Sequence, residues 1–410
     1  MNIKEKLKFL DQINKPEKRN FQPPELTHPI DQVIDGEVFL SSYGESFVRT
    51  IKFNIKENHG SVKLNKIDEI APYFLKLAGK DDNLLDIDLR KSLFFDTETT
   101  GLAGGSGTYI FLAGFGFFEK EHFILKQFFL RDFPEELTML QKINELLAKF
   151  DSLVSFNGKS YDLPLLKSRF TLNRIKHNFS GTPHLDLLHA SRRIWKNRLP
   201  DCTLNTLERT ILGVFRDGDV PSYLIPAMYF EYLRTKDARP LKKIFYHNEI
   251  DILSLVSLTI VLHQIHKSPI EQLSHKADLL TLAKHYENMN HWEQSIPIYQ
   301  RLINTENNLS QKKEIGIQLG YCYKRTGNVE KAVQLWSELI KEGNFRIEPY
   351  EELAKYYEHK ISNLKKAEQV VIEALKNLEL IEELRGTNFT TQYKDSMTYR
   401  FERIKRNLNR

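Results

Sequence analysis

The sequence predicts a mixed-sheet α/β domain followed by an all-α domain of helical repeats, on three observations. Between residues 37 and 156, β-branched and aromatic runs are separated by turn residues and one helical stretch. Meandering strands followed by a crossover helix suit a mixed sheet with helices on its faces. Beyond Lys276 the pattern changes to helical pairs with small residues at recurring positions. The chain has 410 residues, 41% hydrophobic and 28% charged, an ordinary globular balance with material for about two to three domains.

The division expected is a leader with a small β/α extension over 1–90, an α/β domain over 91–268, repeats over 269–385 and a basic C-terminal helix or tail over 386–410. Residues 1–20 read as a charged helix, Lys15-Pro16 as a linker and Phe21-Gln22-Pro23-Pro24 as an extended segment. Strand compositions over 37–41 and 46–55 flank Tyr43-Gly44, which predicts a hairpin, and 67–77 predicts a helix broken or begun at Pro72. This leader carries no chemistry and is expected to pack on the domain that follows. Further strands are expected over 92–95, 109–118, 122–130 and 152–156, and helices over 134–149, 162–170, 201–212 and 225–233.

The chemistry begins at Phe94-Phe95-Asp96-Thr97-Glu98-Thr99-Thr100-Gly101. Side chains alternate along a strand, so Asp96 and Glu98 share a face opposite Phe95 and Thr97. Neighbouring carboxylates on a mostly buried strand repel and are costly to desolvate. Hard cations such as Mg²⁺ or Mn²⁺ remove that cost; a solvated pair at a strand end is the alternative. The glycine-rich 101–108 lacks the phosphate-binding G-x-x-x-x-G-K-[ST] pattern and better suits close approach of a substrate backbone. Phe156-Asn157-Gly158-Lys159-Ser160-Tyr161-Asp162 likewise lacks the upstream glycine, with Leu153 in its place. Asp162 opens a helix, as a cap or as a further carboxylate of the site.

From 167 to 198 basic residues crowd, including Lys167, Arg169, Arg192, Arg193, Lys196 and Arg198, with Phe170, Phe179 and Trp195 between them. This is a solvated face or a groove that tracks phosphates beside a stacking aromatic. His184-Leu185-Asp186 is not assigned to a metal. In Tyr246-His247-Asn248-Glu249-Ile250-Asp251, a helix of about 100° per residue puts His247 and Asp251 on one face and Tyr246 roughly 140° from Asp251. His247 is then a general base beside a metal ligand; if it precedes the helix, Tyr246 orients the water instead.

Ala283, Tyr286, Trp292, Ser295 and Tyr299 recur as Gly320, Tyr323, Gly327, Ala332 and Trp336, and more loosely as Ala354, Tyr357, Ala367 and Val371. The offsets approach the tetratricopeptide period of about 34 residues, which predicts a partner-binding face or a brace, separable from the chemistry. Cys202 and Cys322 lack metal or disulfide spacing, the N-terminus lacks a signal peptide's apolar core, and no run approaches the roughly 18 apolar residues of a membrane span. A cytoplasmic protein without a membrane partner is expected, and a net charge of +5 is compatible with nucleic acid.

Asp96-Thr-Glu98-Thr-Thr-Gly, Asn157-x₄-Asp162 and His247-Asn-x-x-Asp251 resemble, in order, the three motifs of the DEDD (DnaQ-like) 3′–5′ exonucleases. The longer stretches 101–108 and 156–165 are similar to the YprB-type ribonuclease H-like family. The resemblance implies a ribonuclease H-like fold over 91–268 and two divalent metal ions, Mg²⁺ or Mn²⁺, held by Asp96, Glu98, Asp162 and Asp251. It also implies hydrolysis of phosphodiester bonds in DNA or RNA, foremost from a single-stranded 3′ end. Thr99, Gly101, Asn157 and Lys159 within the motifs, with Arg192, Arg193 and Lys196, are the substrate-binding candidates. These families place His five residues, or Tyr four, before the last Asp; here His247 stands four before and Tyr246 five, so the base is open between them. The alternatives are a catalytically weak nucleic-acid-binding adaptor acting through its repeats and a structure-specific endonuclease.

Overall fold

The computed structural model describes residues 28–101, 107–177, 181–385 and 390–409. The expected helix at 1–20, the segment at 21–24, the centre of the glycine-rich loop and Phe179 lie outside the described residues. Strand-forming runs become β1 (Glu37–Ser41), β2 (Gly44–Asn54), the short β3 (Asn58–His59) and β4 (Val62–Lys63), β5 (Ser92–Thr99), β6 (Ile110–Glu119), β7 (His122–Phe129), β8 (Ser152–Ser155) and β9 (His184–Asp186). β3 and β4 pair with each other, and the other seven form one sheet in the order β1-β2-β7-β6-β5-β8-β9. Pairing is antiparallel from β1 through β5, and β8 runs parallel to β5 across the crossover helix Glu136–Leu147. The sheet is therefore mixed, as a meander followed by a crossover requires. β9 was not expected, because three residues are too few to show a period.

β5 runs past its apolar start through both carboxylates. Asp96 pairs with Gly114 and Glu98 with Leu112 of β6, and the register shifts between Glu98 and Thr99. Such irregularities bend a strand and re-aim its side chains. On the other face, Phe95 joins a core that includes Phe47, Phe111, Phe115, Phe129, Leu140, Leu166 and Phe245.

The core helix Leu241–Lys267 lies close over β6. A Cβ at Gly114 would sit 2.1 Å from Asn248 Oδ1, and one at Gly116 would sit 2.6 Å from Ile252 Cγ2. Asn248 and Ile252 are one turn apart, so the two glycines make a trough that seats one ridge of the helix. The same helix has a length that a count of consecutive apolar residues does not reveal. It is long and apolar enough to cross a membrane by length and composition, and 83% of its most apolar window is buried within the protein. Buried Ser254, Ser257, Thr259 and His263 interrupt its apolar residues and hid it from a count of consecutive ones.

Two compact units divide the chain: one takes residues to Asp68, Asp86–Leu185 and Val214–Val256, the other Glu69–Leu85, Asp186–Gly213 and Ser257–Arg410. Neither follows the linear boundaries at 90 and 268, because β2 pairs with β7, and because helices outside the expected repeat region pack in the second unit. There, Leu187–Trp195 packs against both Pro72–Gly79 and Lys276–Asn288. Beside that contact, Arg198 Nε donates to Asp278 Oδ2 at 2.7 Å and Asn197 Nδ2 to Thr281 Oγ1 at 3.0 Å. From Lys276–Asn288 to Thr391–Leu408 each helix packs on the next. The last is basic, and its Arg400 and Arg403 bind Glu358.

This packing opposes the expectation that the repeats are separable. A chain ending at Ser268 would uncover the face of Leu187–Trp195 that lies on Lys276–Asn288. It is expected to elute as aggregate on size-exclusion chromatography and to unfold without a cooperative transition by circular dichroism.

Candidate metal centre

Three segments of the first unit converge at the end of β5. β5 supplies Asp96 and Glu98, the start of the helix Asp162–Leu172 supplies Asp162, and the core helix supplies His247 and Asp251. His247 lies well inside a helix that begins at Leu241, so it shares a face with Asp251. Its Nε2 is 3.4 Å from Asp251 Oδ2 and 3.9 Å from Glu98 Oε1. Glu98, His247 and Asp251 each offer a ligand atom, all within 4.8 Å of one another. Tyr246 is partly exposed.

Asp162 is the first residue of its helix, with Tyr161 in the cap position, and its Oδ1 accepts a hydrogen bond from Thr97 Oγ1. Its carboxylate therefore bonds across to β5. Asp96 Oδ2 accepts from Asn248 Nδ2 at 3.0 Å. Thr99 Oγ1 and Tyr161 Oη both donate to the Gly101 carbonyl, at 2.9 and 2.6 Å, fixing the point where the glycine-rich loop leaves β5.

The loop between Gly213 and Pro221 completes the centre with residues that the sequence did not single out. Both oxygens of Asp219 lie by His247 Nδ1, at 2.9 and 3.1 Å. Arg216 pairs with Asp251 and lies 3.2 Å from Asp219, its side chain only 4% exposed. Arg-Asp-Gly-Asp reads locally as a solvated turn, and nothing in its spacing connects it to residues some thirty positions away.

The remaining candidates scatter. Asn157 is exposed with a left-handed φ of 65°, and Lys159 is exposed beside it. Arg192, Arg193 and Lys196 belong to the second unit. Arg192 and Lys196 are exposed, whereas Arg193 donates to the carbonyls of Leu77 and Ala78 at the end of the helix Pro72–Gly79. A guanidinium is well placed against such unpaired carbonyls. His184 is buried against Ser155 Oγ at 2.7 Å, and burial pushes its pKa down to about 3. Asp186 caps the helix Leu187–Trp195 through Leu188 N at 3.1 Å.

Charge crowding shapes the centre. Burial, then Asp251, Glu98 and Asp162, raises Asp96 well above the usual carboxylate range, against the bond from Asn248. Burial pushes Glu98 up to about 8, aided by Asp251 and Asp162 and opposed by His247. Burial would lower His247, but the bond to Asp219 and the charges of Asp251 and Glu98 outweigh it and lift the imidazole to about 9. Carboxylates that keep protons because they are buried and crowded, beside an imidazole, are a donor set that fits a hard divalent cation.

A pH dependence follows. Glu98 rises from 4.5 to about 8 and His247 from 6.5 to about 9, so both bind protons more tightly folded than unfolded. Their contribution to stability is present at low pH and is lost as pH rises through the folded values. Metal-free protein is therefore expected to melt at progressively lower temperature between about pH 4.5 and 9. Glu98→Gln should flatten the lower part of that decline in thermal scans with chelator. Mn²⁺ should bind more tightly as pH rises and release protons, measurable by calorimetry in buffers of different ionisation enthalpy.

The family model RNase_H_2, of the RNase H superfamily, matches residues 93–263, which contain every carboxylate above. The protein YprB of Bacillus subtilis (strain 168), itself uncharacterized, is 32% identical over 345 residues, 82% of this chain and 82% of its own length. The seven-stranded mixed sheet is thus the RNase H fold, which points to a nucleic-acid hydrolase and normally to divalent metals. On these grounds the chain belongs to the YprB family of the RNase H superfamily.

Proposed function

We propose that this protein is a metal-dependent 3′–5′ exonuclease acting on single-stranded ends of DNA or RNA. The observation that carries the reading is the convergence of Glu98, His247 and Asp251 within 4.8 Å, in a site whose charge Asp96 and Asp162 also feel. Asp96, Glu98, Asp162 and Asp251 are the residues that would hold two divalent cations, Mg²⁺ or Mn²⁺. Bound there, such ions supply an activated water and neutralise charge on the leaving oxygen.

The chain's own residues do the rest. Asp219 fixes His247 through Nδ1, so Nε2 is the atom that faces the cluster and takes the water's proton. Neutralising Asp251 and Glu98 removes part of what lifts the imidazole to about 9 and brings it closer to a value suited to a base, while the bond to Asp219, the largest raising cause, stays in place. Thr99 and Tyr161 hold the Gly101 carbonyl, and with it the first residue of the glycine-rich stretch that suits close approach of a substrate backbone. Exposed Lys159, Arg192 and Lys196 remain candidates for phosphate contacts.

A second reading, a nucleic-acid-binding adaptor without turnover, draws on Arg216, whose guanidinium already pairs with Asp251. A cation that cannot displace it leaves the site inert.

End-labelled oligonucleotides with Mn²⁺ separate these readings. Stepwise release of mononucleotides from the 3′ end is expected. Internal cuts would favour the endonuclease, and binding without cleavage the adaptor. Asp96→Asn and Glu98→Gln should each abolish hydrolysis without unfolding the protein. His247→Ala should slow turnover by roughly 10²–10⁴-fold, whereas Tyr246→Phe should leave it near wild type; the opposite pair of results would make Tyr246 the base.

A further inference from the structure

A chain of buried amides ends on Asp96. Arg49 of β2, ion-paired with Glu249 at 3.0 Å, donates to Gln127 Oε1 of β7 at 3.1 Å. Gln127 Nε2 donates to the Phe245 carbonyl at 2.8 Å and to Asn248 Oδ1 at 3.0 Å. Asn248 Nδ2 then donates to Asp96 Oδ2 at 3.0 Å and to the Asp96 carbonyl at 3.3 Å. Gln127 and Asn248 are both completely buried.

The direction of the chain is determined. An amide has one accepting and one donating end. Turning Gln127 over would aim its NH₂ at the Arg49 guanidinium and its oxygen at the Phe245 carbonyl, two repulsive contacts in place of two hydrogen bonds. With Gln127 fixed, Asn248 must offer it an oxygen, so the N–H of Asn248 faces Asp96. Asn248 has no freedom to move away either, because it is pressed onto β6 where Gly114 leaves no room for a Cβ.

We propose that Asn248 is a positioning residue for Asp96: oriented by Gln127 and Arg49, its amide holds Oδ2 and leaves Oδ1 of the same carboxylate directed to a divalent cation. A carboxylate held in one orientation binds a cation without first losing rotational freedom, and groups behind metal ligands typically matter by about 10–100-fold in affinity. The inference rests on the metal-dependent reading above. It adds a residue that neither touches the cation nor belongs to the Glu98–His247–Asp251 cluster.

The test is calorimetric titration of Mn²⁺ into chelator-treated full-length protein, with thermal unfolding of the metal-free protein alongside. Asn248→Leu keeps the shape of the side chain and leaves Gln127 its bond to Phe245. It is expected to weaken Mn²⁺ binding by about 10–100-fold, and the Gln127 N–H that loses its acceptor also lowers the metal-free unfolding temperature. Asn248→Ala adds no bulk and carries the same test should the leucine variant misfold. Gly114→Ala, which displaces the amide, should weaken binding in the wild type and cost no further affinity in the Asn248→Ala background. Unchanged Mn²⁺ affinity with a lowered unfolding temperature would assign Asn248 a purely structural role and overturn the proposal. Failure of the wild type to bind Mn²⁺ would overturn the metal reading itself, and this inference with it.

Discussion

Like charges on one strand face cannot all stay ionised away from water unless positive or hydrogen-bonding groups come to them, and the first unit is organised around that requirement. Asp96 and Glu98 project from a strand whose other face is committed to the core through Phe95. Asp162 and Asp251 add to the crowding. The replies come from every side: an amide on Asp96, an imidazole on Glu98, a threonine hydroxyl on Asp162 and a guanidinium on Asp251. None is large enough alone to offset the burial of several carboxylates, so Asp96 and Glu98 hold their protons more tightly than ordinary carboxyls do.

The approach of the core helix to the sheet decides whether these replies can be delivered. A side chain at 114 would press on the Asn248 amide, and one at 116 on Phe123 and on Ile252 of the core helix. The trough of glycines is therefore a requirement of the chemistry as much as of packing. Interiors of native density do not accommodate a shift of this kind in one place only.

Much of this was legible in the sequence wherever a period linked the residues. Strand alternation paired Asp96 with Glu98, helical spacing paired His247 with Asp251, and composition marked β1, β2, β6 and β7 close to their observed limits. What failed to show depends on distant chain segments. Arg216 and Asp219 reach the site on a loop, β9 is too short for a pattern, and buried Ser254, Ser257, Thr259 and His263 hide the full apolar length of the core helix from a count of consecutive residues. Arg193 looked like one more charge in a basic run, because a helix end waiting for a donor cannot be seen from the residues around Arg193.

Arg216 has a bearing on how the protein is assembled. A guanidinium keeps its proton at every pH a cell offers, so the polypeptide carries a permanent counter-ion for Asp251 from the moment it is synthesised. Folding need not wait on the supply of metal, and a newly made chain has an internal partner for its most exposed liability, a nest of carboxylates. Any cation that takes Asp251 as a ligand must displace a tethered competitor present at fixed local concentration, so weakly binding cations at trace levels would leave the site as the chain made it.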